Sequence, residues 1–157
     1  MTLKKQNGAS AVEFAVILPF LVMLVFGIIE FGLMLYNKQV LTNASREGAR
    51  AAIVGNCAAG TEMPRKTDAE IGQIVIDYCI DPDDTTKKRL ISFTPWTPDD
   101  ILTTINPSPS DCTVGFGDDV TVTVDWNYTF LLPYLLGYFN PTKQLRANTV
   151  MKMESDP

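Results

Sequence analysis

The run Phe14–Leu35, FAVILPFLVMLVFGIIEFGLML, contains a single charged residue, Glu30. As an α-helix it would be about 33 Å long against about 30 Å of bilayer hydrocarbon, enough to span a membrane. The apolar core of a conventional secretory signal is only about 7–15 residues long and ends at a small-residue cleavage site. This run is longer, and helical patterning continues past it. The chain is therefore read in two parts. Residues 1–55 hold five Lys/Arg and three Glu, whereas residues 56–157 hold eight Lys/Arg and fifteen Asp/Glu. The second part is acidic and would repel phosphate backbones, so nucleic acid is not expected as a partner. Histidine is absent from the sequence. That removes Ser-His-Asp and Cys-His dyads, the His-based zinc motifs and the usual neutral-pH proton shuttle. Neither catalysis nor a cofactor is expected.

The segment ahead of the span, MTLKKQNGASAVEF, places Lys4 and Lys5 first, then Gly8, and then Glu13 at the lip of the apolar run. A carboxylate at the edge of hydrocarbon costs on the order of 2–3 kcal/mol unless it is paired. A cut after Gly8 would supply the pair, because the new α-amino group on Ala9 would lie one helical turn before Glu13 and opposite in charge. A short basic leader, Gly8 before the cut, and Glu13 followed by Phe14 in the mature helix together resemble the class III signal of type IV pilins and pseudopilins. More specifically, GASAVEFAVILPF, GIIEFG and TNASREGARAAIV look like the TadE-like minor pseudopilins of tight-adherence pilus systems. The resemblance covers residues 8–55, and more loosely the strand pattern after residue 118. It implies a prepilin peptidase that cuts between Gly8 and Ala9, and a Glu13 that helps place the subunit among other pilins. The alternative for Glu13 is an interfacial charge that snorkels to water.

Within the span, Pro19 removes one helical hydrogen bond and should kink the helix. Such a kink is pilin-like, though proline is also tolerated in membrane helices. Glu30 falls about 24 Å beyond Phe14, near the far interface, where it would reach headgroups or a cation on a neighbouring subunit. Positive charge does not settle the orientation, since Lys4 and Lys5 face Lys38, Arg46 and Arg50 across the span. A leader read from the cytoplasmic side, and cysteines better explained outside it, place the N-terminus in and the C-terminus out.

Helical periodicity continues to Gly55, with Leu41, Ala44, Ser45, Gly48, Ala51, Ala52 and Gly55 on one small-residue face and Gln39, Thr42, Asn43, Arg46 and Arg50 opposite. Such a face should lie closely against a sheet or another helix. Thr67 and Glu70 form a capping box for a second helix along which Ile71, Ile74, Val75, Tyr78 and Cys79 recur at helical spacing. Asp81-Pro82-Asp83-Asp84 should end it. A calcium loop counted from Asp81 fails, because its sixth and twelfth places are Thr86 and Ser92 rather than Gly and Glu, and no metal is expected. Three strands are predicted at Arg89–Thr94, Asp119–Phe130 and Leu145–Met153. The middle one alternates strictly, with Val120, Val122, Val124, Trp126, Tyr128 and Phe130 on one face. Pro95–Gly117 is read as a long loop, and the apolar LLPYLLGYFNP as a connection packed on the core. Cys57, Cys79 and Cys112 offer one disulfide and a free thiol, with three pairings open, or three unpaired thiols.

The expected fold is α+β: a long N-terminal helix packed against a small antiparallel sheet of about three strands plus a short second helix. The expected division is a leader at 1–8, a long helix at 9–55 with its transmembrane part at 14–35, and an extracytoplasmic head at 56–157. The function implied by the resemblance is that of a minor pseudopilin or assembly component of a tight-adherence pilus or secretion system. Its partners would be the prepilin peptidase, other pilins or pseudopilins, inner-membrane pilus assembly proteins and the membrane itself. The expected location is the bacterial inner membrane, crossed once, with the head in the periplasm and the subunit open to incorporation in a surface pilus. A second reading is an unprocessed single-span anchor with a periplasmic binding or structural domain. A third, a tethered enzyme working with Asp and Glu alone, has little support from acids scattered in turns.

Overall fold

The computed structural model describes residues 6–55, 65–81, 84–111, 114–131 and 142–153. It is α+β, as the sequence predicts. Helix α1 runs unbroken from Gln6 to Ile53, through Pro19, and is about 72 Å long. Its two halves meet different surroundings. From Ser10 to Ile29 every described residue is exposed, and the apolar window of this stretch has no part covered by the rest of the chain. From Glu30 onward one face is covered by the head.

That covered face carries Leu41, Ala44, Ser45, Gly48 and Ala52, as the small-residue stripe requires, and also Asn37, Val40 and Ala49. Gly48 is where the approach is tightest. A Cβ there would sit 2.7 Å from Val75 Cγ2 and 3.3 Å from Val122 Cγ1, so glycine lets α1 contact both the second helix and the sheet. Ser45 Oγ meets Thr149 Oγ1 at 2.7 Å, which satisfies both hydroxyls in the seam.

Helix α2, Asp68–Cys79, begins at the predicted capping box: Thr67 N donates to Glu70 Oε2 at 2.7 Å and Glu70 N donates to Thr67 Oγ1 at 3.3 Å. The Thr67 N–H, and after it the Thr67 hydroxyl, which donates to the same Oε2 at 2.9 Å, hold the Glu70 carboxyl below its ordinary range. Ile71, Val75 and Cys79 are buried against α1 and the sheet, with Ile74 and Tyr78 half-buried. A short antiparallel pair follows, β1 (Ile80–Asp81) with β2 (Asp84–Lys88).

The main sheet is antiparallel in the order β3 (Ile101–Asn106), β4 (Asp119–Thr129), β5 (Thr142–Lys152). Strand β4 is the alternating strand of the sequence, and Val120, Val122, Val124, Trp126 and Tyr128 are all buried on its inner face. Trp96, Trp126, Tyr128 and Phe130 stack as an aromatic series, with successive ring centroids 5.8, 6.1 and 5.2 Å apart. On the outer face, Asp125 and Arg146 stand opposite each other across the strands and form two hydrogen bonds, at 2.7 and 2.9 Å.

One predicted strand is wrong. Arg89–Thr94 does not join the sheet; its place is taken by Ile101–Asn106, which lies inside the segment read as a long loop. Arg89 N–H still donates to the backbone oxygen of Cys79 at 2.9 Å, but from Leu90 on the segment's backbone partners among the described residues are side chains rather than a neighbouring strand. Ile91 N–H and C=O are both held by the Asn37 amide, Leu90 C=O accepts from Trp96 Nε1, and Thr94 N–H donates to Ser92 Oγ. The prolines that suggested a loop punctuate it instead: Pro98 and Pro109 open 3₁₀ turns on either side of β3. The apolar connection after Leu131 lies outside the described residues.

Candidate functional site

Two regions of α1 carry the candidate residues. The first is its bare N-terminal end. Gly8 lies in the first turns, exposed, with open space around its Cα, and Glu13 and Phe14 are exposed on the same uncovered helix. Ala9 lies in α1 between them. Among the described residues, the head begins covering the helix at Glu30, about 26 Å beyond Glu13. Pro19 sits midway along the bare half, and α1 remains helical on both sides of it. The structure thus strings the predicted processing residues along one helix end, and among the described residues it brings no other element to them.

The second region is the junction at Glu30, the first covered residue of α1, only 8 % exposed. Its carboxylate accepts the backbone N–H of Leu131, just past the end of β4. Glu30, Phe26, Ile29, Phe93 and Leu131 line a cavity of about 120 Å³ between the helix and the lower rim of the head. Tyr128 lies close by with a fully buried ring, and its Oη has no hydrogen-bond partner among the described residues. Burial, and after it the negative charge of Glu30, push the Tyr128 phenol above its ordinary value. The sequence offered headgroups or a neighbouring cation for Glu30; the structure also gives it a backbone amide of the chain's own head.

Two turns beyond Glu30, Asn37 is fully buried. Its Nδ2 donates to Ile91 O at 2.8 Å, and its Oδ1 accepts from Ile91 N at 2.9 Å. Sequence reasoning did not single it out. A signal was present, because Glu30, Asn37, Leu41, Ala44 and Gly48 follow one another at spacings of seven, four, three and four, placing two polar side chains on an otherwise small and apolar stripe.

Of the three cysteines, Cys79 is a buried free thiol, and Cys57 and Cys112 lie outside the described residues. Desolvation pushes the Cys79 thiol up to about 12, which leaves almost no thiolate at neutral pH and hence little reactivity. Among the described residues, no group of three or more His, Cys, Asp or Glu side chains gathers as metal ligands.

Residues 8–50 match the family model described as TadE-like protein. The matched segment begins at Gly8, takes in the whole bare half of α1 and continues into the face packed on the head. No curated protein matches the chain, and no solved structure does. The match and the long exposed apolar helix fit a membrane-anchored chain with a TadE-like N-terminal segment.

Proposed function

Taking a TadE-like helix as the starting point, we propose that the chain is a minor pseudopilin or assembly component of a tight-adherence pilus or secretion system. A prepilin peptidase on the cytoplasmic face cuts between Gly8 and Ala9. The freed α-amino group pairs with Glu13 one turn on, removing the cost of a lone carboxylate at the hydrocarbon edge. The apolar half of α1 crosses the inner membrane once, and the head stands in the periplasm. From there the subunit joins other pilins or pseudopilins and the inner-membrane assembly proteins. It performs no catalysis and uses no cofactor; its function is assembly.

The observation that best supports this reading is the single helix Gln6–Ile53, in which the cut site, the apolar span and the spine of the head follow one another without a break, over the same stretch as the TadE-like match. A helix half bare and apolar, half packed on a small α+β head, suits a subunit that moves from bilayer to filament without refolding.

The test is the N-terminal residue and mass of the protein recovered from its native host with and without prepilin peptidase. We expect an Ala9 start with the enzyme and an intact N-terminus without it. Gly8→Ala should block the cut, and Glu13→Ala should leave the cut subunit poorly assembled while the head stays folded. An intact Met1 start in the wild-type host would instead favour the unprocessed anchor.

A further inference from the structure

The exposed apolar surface of α1 does not stop where the head begins. On the side facing away from the head, Phe31, Leu35 and Tyr36 remain about half exposed, and the next exposed charge is Lys38. On the other side the head covers the helix from Glu30 upward. The stretch Glu30–Tyr36 therefore faces outward as apolar surface on one side while it is packed against protein on the other. A bilayer that accommodates Phe31, Leu35 and Tyr36 also meets the lower rim of the head. That rim reaches lower still, because Phe93 and Leu131 share a cavity with Phe26, one turn and about 6 Å below Glu30.

The surface the rim presents suits that depth. Phe93 is 43 % exposed and Ile91 is 41 % exposed, on a segment tied to α1 at Ile91, about 10 Å above Glu30, by one hydrogen bond that buried Asn37 donates and one that it accepts. The Glu30 carboxylate at this level is covered by the head and accepts the Leu131 amide rather than facing lipid.

We propose that Ile91, Phe93 and Leu131 form a foot that inserts into the headgroup and upper acyl layer of the bilayer, seating the head on the membrane and fixing the depth of α1. This rests on the membrane-anchored reading of α1. The foot gains by removing exposed apolar area from water, and an aromatic ring favours the interfacial layer. Asn37 pre-orders the segment, so little conformational freedom is lost on insertion.

The experiment uses the full chain reconstituted in phosphatidylcholine vesicles whose acyl chains are brominated either near the ester end or at mid-chain. Tryptophan is introduced singly by Phe93→Trp, Ile91→Trp, Phe20→Trp and Phe116→Trp, and each is read against the wild type, whose Trp96 and Trp126 are buried. Phe20 lies mid-span on bare helix, and Phe116 is 77 % exposed on the turn before β4, at the opposite end of the sheet from Leu131. We expect the emission added at positions 93 and 91 to fall at least about twofold, more strongly with bromine near the ester end, as suits an interfacial ring. Position 20 should be quenched by mid-chain bromine, and position 116 by neither. If position 20 is quenched while 91 and 93 respond no more than 116, the foot is wrong and the anchor stands. If position 20 also fails to respond, both readings fall. Indoles at 91 and 93 shielded from aqueous acrylamide yet silent to bromine would mean that protein, such as a second copy, covers the rim, and would overturn the proposal.

Discussion

At the scale of single residues, two glycines in helices show how the same substitution can change sign with its neighbours. Gly48 of α1 lies under Val75 and Val122, and a Cβ there meets Val75 Cγ2 at 2.7 Å, a contact that a stiff valine side chain relieves only by shifting its backbone. Overpacking of this kind costs about 1–3 kcal/mol, whereas replacing a helical glycine by alanine returns about 0.5–1 kcal/mol. Gly72 of α2 has nothing within 4 Å of its would-be Cβ. We therefore expect Gly48→Ala to destabilise the head by about 1 kcal/mol and Gly72→Ala to stabilise it by about 0.5–1 kcal/mol. Urea unfolding of the full chain in detergent micelles, followed by near-ultraviolet circular dichroism of the buried tryptophans, measures both. Equal and opposite-to-predicted shifts at position 48 would mean that α1 and α2 separate easily, and the small-residue face would then have no packing role.

At the scale of elements, the sequence carried those parts of the fold that depend on local pattern and left out those that depend on distant partners. Strand β4 is readable because its inward valines and aromatics alternate without exception from Val120 to Tyr128, and α2 because Thr67 and Glu70 satisfy each other within one turn. The bare half of α1 is readable from hydropathy alone. Arg89–Thr94 has the composition of a strand, yet its centre is held by side chains, Ile91 by Asn37, 54 positions away, and Leu90 by Trp96. Strand β3 has only six residues, with two isoleucines among threonines, and the prolines around it mark turns rather than an unstructured loop. No local rule assigns a buried asparagine to a particular backbone segment. Asn37→Ala tests that assignment directly. It strands the N–H and C=O of Ile91, a loss of about 2 kcal/mol. Hydrogen exchange should show the Ile91 amide losing its protection while Val122 and Val124 in the central strand keep theirs. Unchanged protection at Ile91 would show that the amide clamp is dispensable.

At the scale of the whole molecule, the question is what joins a helix built for lipid to a head built for water. Helix and head share a long packed seam, and at its membrane-side end Leu131 N–H donates to the Glu30 carboxylate, between positions 101 residues apart. Two properties of Glu30 act there, and substitutions separate them. As an acceptor it satisfies the Leu131 amide; as a charge it adds to burial in raising the phenol of Tyr128. Glu30→Gln keeps the acceptor oxygen and removes the charge, whereas Glu30→Ala removes both. A hydrogen bond to a charged group is worth about 1.5–3 kcal/mol, or roughly 10–100-fold in exchange rate. Leu131 amide exchange should therefore accelerate by about that factor in Glu30→Ala and by only a fraction of it in Glu30→Gln. The Tyr128 phenol should fall in both variants and remain above its ordinary value of 10.0, because burial is the larger cause and is still present. Exchange by nuclear magnetic resonance and ultraviolet titration of the full chain in micelles read the two effects independently. If Leu131 is equally protected in all three proteins, the junction is closed by the packed seam alone, and the acid at position 30 needs an explanation in the membrane rather than in the head.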